Sequence, residues 1–416
     1  MPEAPVLLVG FSGLLCHALS PTLAPRSIVV VEDPAVIKKR DLEDLPAQVP
    51  LVAALVPVAY QELDAEGVAD AVLAALRSAG VGPVGCVLPG IEYAVPAAAA
   101  VAERLGLPGA GVAATDGLSS KLRLRELTTA AGMAGPAFAE LHSESDAAAF
   151  AARVGPSVVK PASRQASIGV HLVDTPAEAA AAWRSLAELP DEDVFNDSSL
   201  RRSVLAEARL TGPELSTEAL VDAGEIVFLN VTAKQVAGGA WPVELGHVVP
   251  APLGGAEQAA FATAVAALVR ALGFGTGVLH AEWIVTSDGP VLVECAGRIP
   301  GDHILTLVQH AWGFDPYAAY LQLMRGSRPA LPERAGQVAA IRFVTAEPGT
   351  VVEVVEDLPS SPGVVDVHVD AEVGTVVGPL RSSWDRLGYA IATGPDAATA
   401  QVRAADAAER LRPRTA

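Results

Sequence analysis

Val278-Leu279-His280-Ala281-Glu282-Trp283-Ile284-Val285-Thr286-Ser287-Asp288-Gly289-Pro290-Val291-Leu292-Val293-Glu294-Cys295-Ala296-Gly297 reads as two apolar strands folded back on each other. The runs Val278–Val285 and Val291–Cys295 flank Ser287-Asp288-Gly289-Pro290, a cluster of turn-forming residues. With a five-residue turn from Thr286 to Pro290, Val285 faces Val291 and Glu282 falls directly opposite Glu294. Alternation along each strand then puts both carboxylates on one face, about 5 Å apart at Cβ. Two like charges there repel, so a buried hairpin keeps them only with a counter-charge, a shared proton or a bound cation. Carboxylate oxygens suit Mg²⁺, which keeps water and phosphate oxygens in its other positions. Arg298, four residues past Glu294, adds a guanidinium suited to phosphate or carboxylate. The competing reading is a solvent-facing acidic pair at a sheet edge, with an ordinary surface arginine.

Outward from this hairpin the chain divides by pattern. Val6–Val9, the loop Gly10-Phe11-Ser12-Gly13 and Ile28–Val31 make a β-α-β start. Glu32-Asp33 at the second strand's end mimics a dinucleotide fingerprint, but the third glycine of GxGxxG is missing. With helices over Ala69–Ala79 and Val95–Leu105 and a strand over Gly85–Leu88, residues 1–115 read as an open α/β lobe. Next, Asp116 or Ser119 caps a helix over Ser120–Ala131, which Gly132 stops. Strands over Ser157–Lys160, Gly169–Val173, Val204–Glu207 and Ser216–Val221 complete a small α+β lobe over 116–224. A third lobe, 225–330, holds the long helix Gln258–Leu272, the hairpin and two further helices. The last, 331–416, has strands over Val338–Thr345, Val364–Val369 and Gly388–Thr393 and a closing helix over Ala397–Leu411. The fold class is α/β with α+β lobes.

A length of 416 residues suits several packed lobes, and 51% hydrophobic with 19% charged residues suits a globular chain. A net charge of −19 argues against a nucleic-acid partner, because phosphate binding needs a basic face. Three scattered cysteines give neither a disulfide framework nor a cysteine zinc site. The start lacks the basic stretch of a secretory signal, and no apolar run is long enough to span a bilayer. The expectation is a cytoplasmic protein with no membrane partner.

Lys160 closes a strand and roots a loop of small residues, including Ser163, Ser167 and Gly169, whose backbone N–H groups and hydroxyls can cover phosphates. The loop lacks GxxxxGK[ST], which excludes a Walker-type site. Taken in order, Lys121 within Asp116–Arg125, Ser157-Val158-Val159-Lys160-Pro161, the stretch Glu207-Ala208-Arg209-Leu210-Thr211-Gly212-Pro213-Glu214-Leu215-Ser216-Thr217-Glu218, and the Glu282/Glu294/Arg298 group resemble the ATP-grasp superfamily. Within it, Trp241–Leu253 and the lobe after residue 330 look most like bacterial L-amino-acid ligases.

That resemblance implies an ATP-grasp fold: an N-terminal open α/β lobe, a small mobile lid lobe, a central antiparallel-sheet lobe for ATP and Mg²⁺, and an extra C-terminal lobe. It implies ATP with Mg²⁺, Mn²⁺ being a stand-in, and small-molecule carboxylate and amine partners, with room for a homodimer. Lys121 and Lys160 would hold the phosphates under the Ser163–Gly169 loop, Glu207 would lie at the adenine, and Glu214 would bond the ribose. Glu282 and Glu294 would be the metal ligands. Arg298 and His247 would act in catalysis and, with Glu244 and Asp302, bind substrate. The reaction would join a carboxylate to an amine through an acyl phosphate, releasing ADP and phosphate. The donor carboxylate could be the α-carboxylate of an amino acid or the side chain of a glutamate. Two departures stand out: Ala296 occupies a position where the superfamily often has Asn, and the phosphate loop carries Arg164 and Gln165 with one glycine. Asp302 reads either a cationic or hydroxylated group or caps the helix starting near Ile304, and the cap is the favoured expectation. Rival readings are ligation of a non-amino-acid carboxylate, a carboxylation, a regulatory ATP-binding protein without turnover, and a nicotinamide-dependent oxidoreductase.

Overall fold

The computed structural model describes residues 3–61, 63–164, 168–188, 203–238, 241–355 and 361–416. At the N-terminus, β1 (Val6–Val9), β2 (Ile28–Glu32), β3 (Val52–Pro57) and β4 (Cys86–Pro89) form a parallel sheet in the order β3-β2-β1-β4. Every residue of β1, β2 and β4 is buried, as expected of unbroken Val/Leu/Ile runs covered on both faces. The strand order reverses beside β1, so the loops after β1 and β4 leave the sheet side by side, where open α/β sheets bind ligands. These loops touch: a Cβ on Gly90 would lie 2.0 Å from the Gly10 carbonyl oxygen. Gly90 is therefore needed to let Glu92 approach this edge.

The small lobe is an antiparallel sheet of β5 (Phe138–Leu141), β6 (Ser157–Pro161), β7 (His171–Val173) and β8 (Val204–Ala208), ordered β5-β8-β6-β7. Helices Glu144–Val154 and Pro176–Ala187 cover it through Phe150, Ala179 and Leu186. The lead-in helix runs Lys121–Ala130, and its cap differs from the expectation. Ser120 is the N-cap, its hydroxyl accepting from Arg123 N, while Asp116 and Ser119 belong to a preceding helix, Val112–Ser119. The tight junction of two helices puts the cap at the last residue between them.

The large sheet holds β9 (Glu214–Asp222), β10 (Glu225–Val236), β11 (Glu244–Val249), β12 (Gly277–Thr286), β13 (Gly289–Ala296), β14 (Val338–Val344), then, beyond the short β15 (Gly349–Glu353), β16 (Val364–Val369) and, beyond β17 (Val376–Val377), β18 (Gly388–Gly394). Its order is β13-β12-β9-β10-β11-β14-β18-β16, while β19 (Arg414–Thr415) joins β15 and β17 in a small separate sheet. Strand β9, grouped by sequence with the small lobe, thus pairs inside the large sheet. The C-terminal strands extend that same sheet, and the helix Ala397–Leu411 lays Ala400, Ala404 and Ala407 against them. Among the described residues no helix is long and apolar enough to cross a membrane.

The hairpin β12–β13 has Glu282 opposite Glu294, but by a different route from the one expected. The turn has two residues, not five: Thr286 pairs with Gly289, and its hydroxyl donates to Gly289 O and accepts from Asp288 N. A bulge then skips Val293, so Trp283 pairs with Leu292 and Glu282 with Glu294. Pro290 is tolerated because β13 is an edge strand. Behind this face, Trp283 is fully buried, donates to Thr217 Oγ1 at 3.0 Å and meets Phe261 of the helix Gly255–Leu272 edge-on. Trp283→Ala is expected to destabilise the protein by about 3–5 kcal/mol, the range for emptying a packed aromatic site. A shift of the urea midpoint measures it.

Candidate active site

One cleft of about 730 Å³ runs between the N-terminal lobe, the small lobe and one face of the large sheet. At its small-lobe end, Val158 of β6, Leu172 of β7, Leu210, Ile284 of β12 and Val293 of β13 make an apolar slot between two sheets. Beneath it, Glu207 binds two cations: Lys160 Nζ at 2.7 Å and Arg125 Nε at 2.5 Å. Arg125 also donates to Val293 O at 2.6 Å, the carbonyl of the residue that the bulge leaves without a cross-strand partner. All three side chains are buried. Burial pushes the Glu207 carboxyl upward, but Lys160 and Arg125 outweigh it and hold it below the usual carboxylate range. Burial lowers Lys160 despite Glu207.

Next along the cleft, Lys121 Nζ lies 3.0 Å from Glu294 and donates to Arg164 O at 2.6 Å. Its backbone N–H donates to Ala162 O, tying the lead-in helix to the loop after β6. Arg164 and Ile168 line the cleft; Ser163 and Gly169 do not, and Ser167 lies outside the described residues.

At the centre stands Lys234 of β10, a residue the sequence reading passed over. Its ammonium lies 2.5 Å from Glu282, 2.9 Å from Glu214 and 3.5 Å from Glu244. Burial works against that charge, yet the three carboxylates hold it well above the ordinary lysine range. Oxygens of the same three glutamates lie within 4.8 Å of one another. Glu282 and Glu294 are opposed across the hairpin, but each faces its own lysine. His280 shares the face with Glu282 and lies opposite Ala296. Its Nδ1 is 3.1 Å from Glu218 and its Nε2 3.5 Å from Glu282. Burial opposes its protonation, but the two carboxylates push it up to about 9. Glu218 itself is saturated by Ser216, Asn230 and Thr232.

At the far end, Arg298 Nε lies 2.6 Å from Glu92, which follows β4. Asp302 does not cap the following helix, contrary to expectation. Asp302 and His303 both have left-handed backbone angles, and the cap position, His303, makes no side-chain cap bond. Instead the Asp302 carboxylate accepts from Arg386 Nη1 at 2.9 Å and Nη2 at 2.5 Å, with His247 Nε2 at 3.0 Å. Burial raises its carboxyl, but His247 and Arg386 pull it far below the usual range. His247 is buried, and its Nδ1 has no hydrogen-bond partner among the described residues. On the N-terminal side, Glu32 accepts from Phe11 N at 2.7 Å and from Tyr60 OH at 2.9 Å. The acid that mimicked a dinucleotide fingerprint therefore anchors the Phe11 loop.

Four participants were absent from the sequence reading: Arg125, Lys234, Glu92 and Arg386. Lys234 had a signal, the alternation Asn230, Thr232, Lys234 along one strand face; Arg125 lies one turn after Lys121. Arg386 had none, since 84 residues separate it from Asp302.

Small-lobe and large-sheet strands facing each other over a cleft of lysines and glutamates define the ATP-grasp class of fold. A family profile for the ATP-grasp domain matches residues 154–306, and one for L-amino acid ligase C-terminal domain 2 matches 342–416. An L-amino acid ligase from Bacillus licheniformis superposes with a TM-score of 0.78 over 100% of both chains at 20% identity. A phosphoribosylglycinamide synthetase from Anaerococcus prevotii does so at 0.72, also over 100% of both chains, with 14% identity. The biotin carboxylase domain of Hydrogenobacter thermophilus 2-oxoglutarate carboxylase, solved with MgADP, ADP and bicarbonate, reaches 0.67 at 16% identity over 100% of this chain and 92% of that one. Among curated sequences, an uncharacterized protein of Sinorhizobium fredii (strain NBRC 101917 / NGR234) is 27% identical over 72% of this chain and 62% of its own length. A D-alanine–D-alanine ligase of Pseudomonas entomophila (strain L48) is 34% identical over 28% of this chain and 35% of its own length, and one of Stutzerimonas stutzeri (strain A1501) is 28% identical over 55% and 72%. The chain thus spans less than two thirds of the first two relatives. It contains an ATP-grasp domain over residues 154–306 and an L-amino acid ligase type C-terminal domain over 342–416.

Glu207→Gln leaves Lys160 and Arg125 buried without their anion and is expected to cost about 3–5 kcal/mol. A carboxyl held low in the folded state stabilises above its unfolded pKa of roughly 4.3 and loses that contribution as pH falls. Urea titrations between pH 6 and 3 should therefore show a flatter acid limb for the variant than for the wild type.

Proposed function

We propose that the protein is an ATP-dependent carboxylate–amine ligase that joins an amino acid's carboxylate to an amine or a second amino acid, through an acyl phosphate. The observation that carries this reading is the row of cations Lys160, Lys121, Lys234 and Arg298 along one cleft, interleaved with Glu207, Glu294, Glu282 and Glu214 and ending beside an apolar slot. The slot suits a purine ring, and the backbone of Ala208–Leu210 lies at its edge. Glu214 is on hand for the ribose hydroxyls.

The donor set suits a nucleotide with Mg²⁺. Glu282 and Glu294 are oxygen ligands on one face, each charge-balanced by a lysine of the same cleft. Exchange of partners, lysines to phosphate oxygens and carboxylates to a divalent cation, keeps every charge compensated. Mg²⁺, when bound there, would offset charge on the phosphate oxygens. Lys121 and Lys160 would orient the β- and γ-phosphates, Lys234 and Arg298 would offset charge on the transferred group, and Glu92 would aim Arg298. The substrate carboxylate attacks the γ-phosphorus and ADP leaves; the amine nitrogen then attacks the acyl carbon and phosphate leaves. His247, held at Nε2 by Asp302, would stand beside the substrate in the wall of the cleft. The loop after β6 would shield the acyl phosphate from water. The C-terminal domain match supports amino acids as substrates over other carboxylates.

Glu294→Gln is expected to abolish ADP release while leaving the melting temperature within a few degrees of wild type; unchanged turnover overturns the metal assignment. In a thermal-shift panel, ATP with Mg²⁺ should stabilise the protein and NAD(P)H should not. Phosphate release screened over amino-acid pairs, with mass detection of the product, identifies the substrates.

A further inference from the structure

One ammonium, Lys234, is shared by Glu214, Glu244 and Glu282, so carboxylates outnumber it at the centre of the cleft. Glu282 has a second contact: His280 Nε2 lies 3.5 Å from Oε1, the oxygen that Lys234 also meets. Neither contact involves Oε2. His280 is itself held on its other side. Its Nδ1 lies 3.1 Å from Glu218 Oε1, which also accepts from Ser216 Oγ at 2.8 Å. The second Glu218 oxygen accepts from Asn230 Nδ2 at 2.8 Å and from Thr232 Oγ1 at 2.6 Å. Asn230 is fixed in turn by Trp312, whose indole donates to Asn230 Oδ1 at 3.1 Å.

Sheet register makes this arrangement. Glu218 of β9 stands directly between Asn230 of β10 and His280 of β12, each its cross-strand partner. Beyond His280 the next strand presents Ala296, which brings no polar side chain to compete for the ring. Period-two alternation then sets His280 and Glu282 side by side on one face of β12. A buried carboxylate with four donors is rigid, and an imidazole whose Nδ1 is fixed has its other nitrogen aimed as well. That nitrogen falls on Glu282. Groups that hold a metal-binding carboxylate from behind set how well it binds.

We propose that His280 is a positioning residue for Glu282: anchored on Glu218, its ring holds the Glu282 carboxylate in the orientation that meets a nucleotide-bound divalent cation. The proposal rests on the reading of Glu282 as a metal ligand given above. It differs in sign from a role through charge alone, because taking a cationic ring off this face would by itself favour a second cation. Loss of orientation weakens metal binding instead.

The test measures Mn²⁺ binding to the full chain in the presence of ADP, read from the loss of the free-ion EPR signal. His280→Asn keeps an amide N–H near the place of Nδ1, so Glu218 stays partnered, but it is too short to reach Glu282. Its Mn²⁺ affinity is expected to fall about tenfold or more, the scale for a partner of a ligating carboxylate. ADP affinity without metal should stay unchanged, which a merely structural defect would not allow. His280→Gln extends an amide toward Glu282 and should restore most of the Mn²⁺ affinity. The Mg²⁺ concentration that half-saturates ADP release should follow the same order, and melting curves check that each variant folds. Mn²⁺ bound by His280→Asn as tightly as by wild type, or more tightly, overturns the proposal, as does an equal loss in both variants. Glu282→Gln is the control for the underlying reading. If it binds Mn²⁺ like wild type, the metal assignment itself falls, and the role of His280 with it.

Discussion

Glu207 accepts Lys160 and Arg125 in a buried place, and the geometry of the cleft follows from that contact. Lys160 belongs to the small lobe's β6, Arg125 to the lead-in helix, and Glu207 to the last strand before the chain crosses into the large sheet. Arg125 completes the link by bonding the Val293 carbonyl of the hairpin. A buried ion pair adds little net stability compared with apolar packing, but losing one partner is costly, so the lobes are held in one arrangement. The apolar slot exists because this contact sets the distance between β6–β7 and β12–β13.

The polar face of the large sheet shows charge arranged for exchange rather than for rest. Lys234 lies among three glutamates and Lys121 against a fourth, so the acidic face is partly neutralised from within. Beneath them His280, Glu218, Asn230 and Thr232 form a buried hydrogen-bonded set that fixes the orientation of Glu282 from below. Polar groups so deeply buried are tolerable only when fully partnered, which makes the face rigid.

The C-terminal lobe is part of the same object. Its strands continue the large sheet, and Arg386 reaches from it into the cleft to hold Asp302 and through it His247. A lobe that looks accessory in sequence therefore supplies one wall of the cleft. Because the N-terminal lobe contributes Glu92 and the Phe11 loop at the same end, that end of the cleft is assembled from segments far apart in the chain.

The amino-acid sequence by itself determined which side chains share a face: alternation put Glu282 and Glu294 on one side of the hairpin, with His280 beside them and Trp283 behind. It reached that pairing through a five-residue turn, whereas a two-residue turn and a bulge at Val293 cancel to the same result. The ordered motifs likewise identified the ATP-grasp fold, since each motif is local and its spacing is written along the chain. Only the tertiary structure decided the partners. Lys234 among the glutamates, Arg298 on Glu92 across 206 residues and Arg386 on Asp302 across 84 depend on which distant segment passes over which face. Strand periodicity fixes a side chain's direction, but what it meets there is set by sheet order and lobe packing. For that reason Asp302, read locally as a cap, proved to be the link to the last lobe.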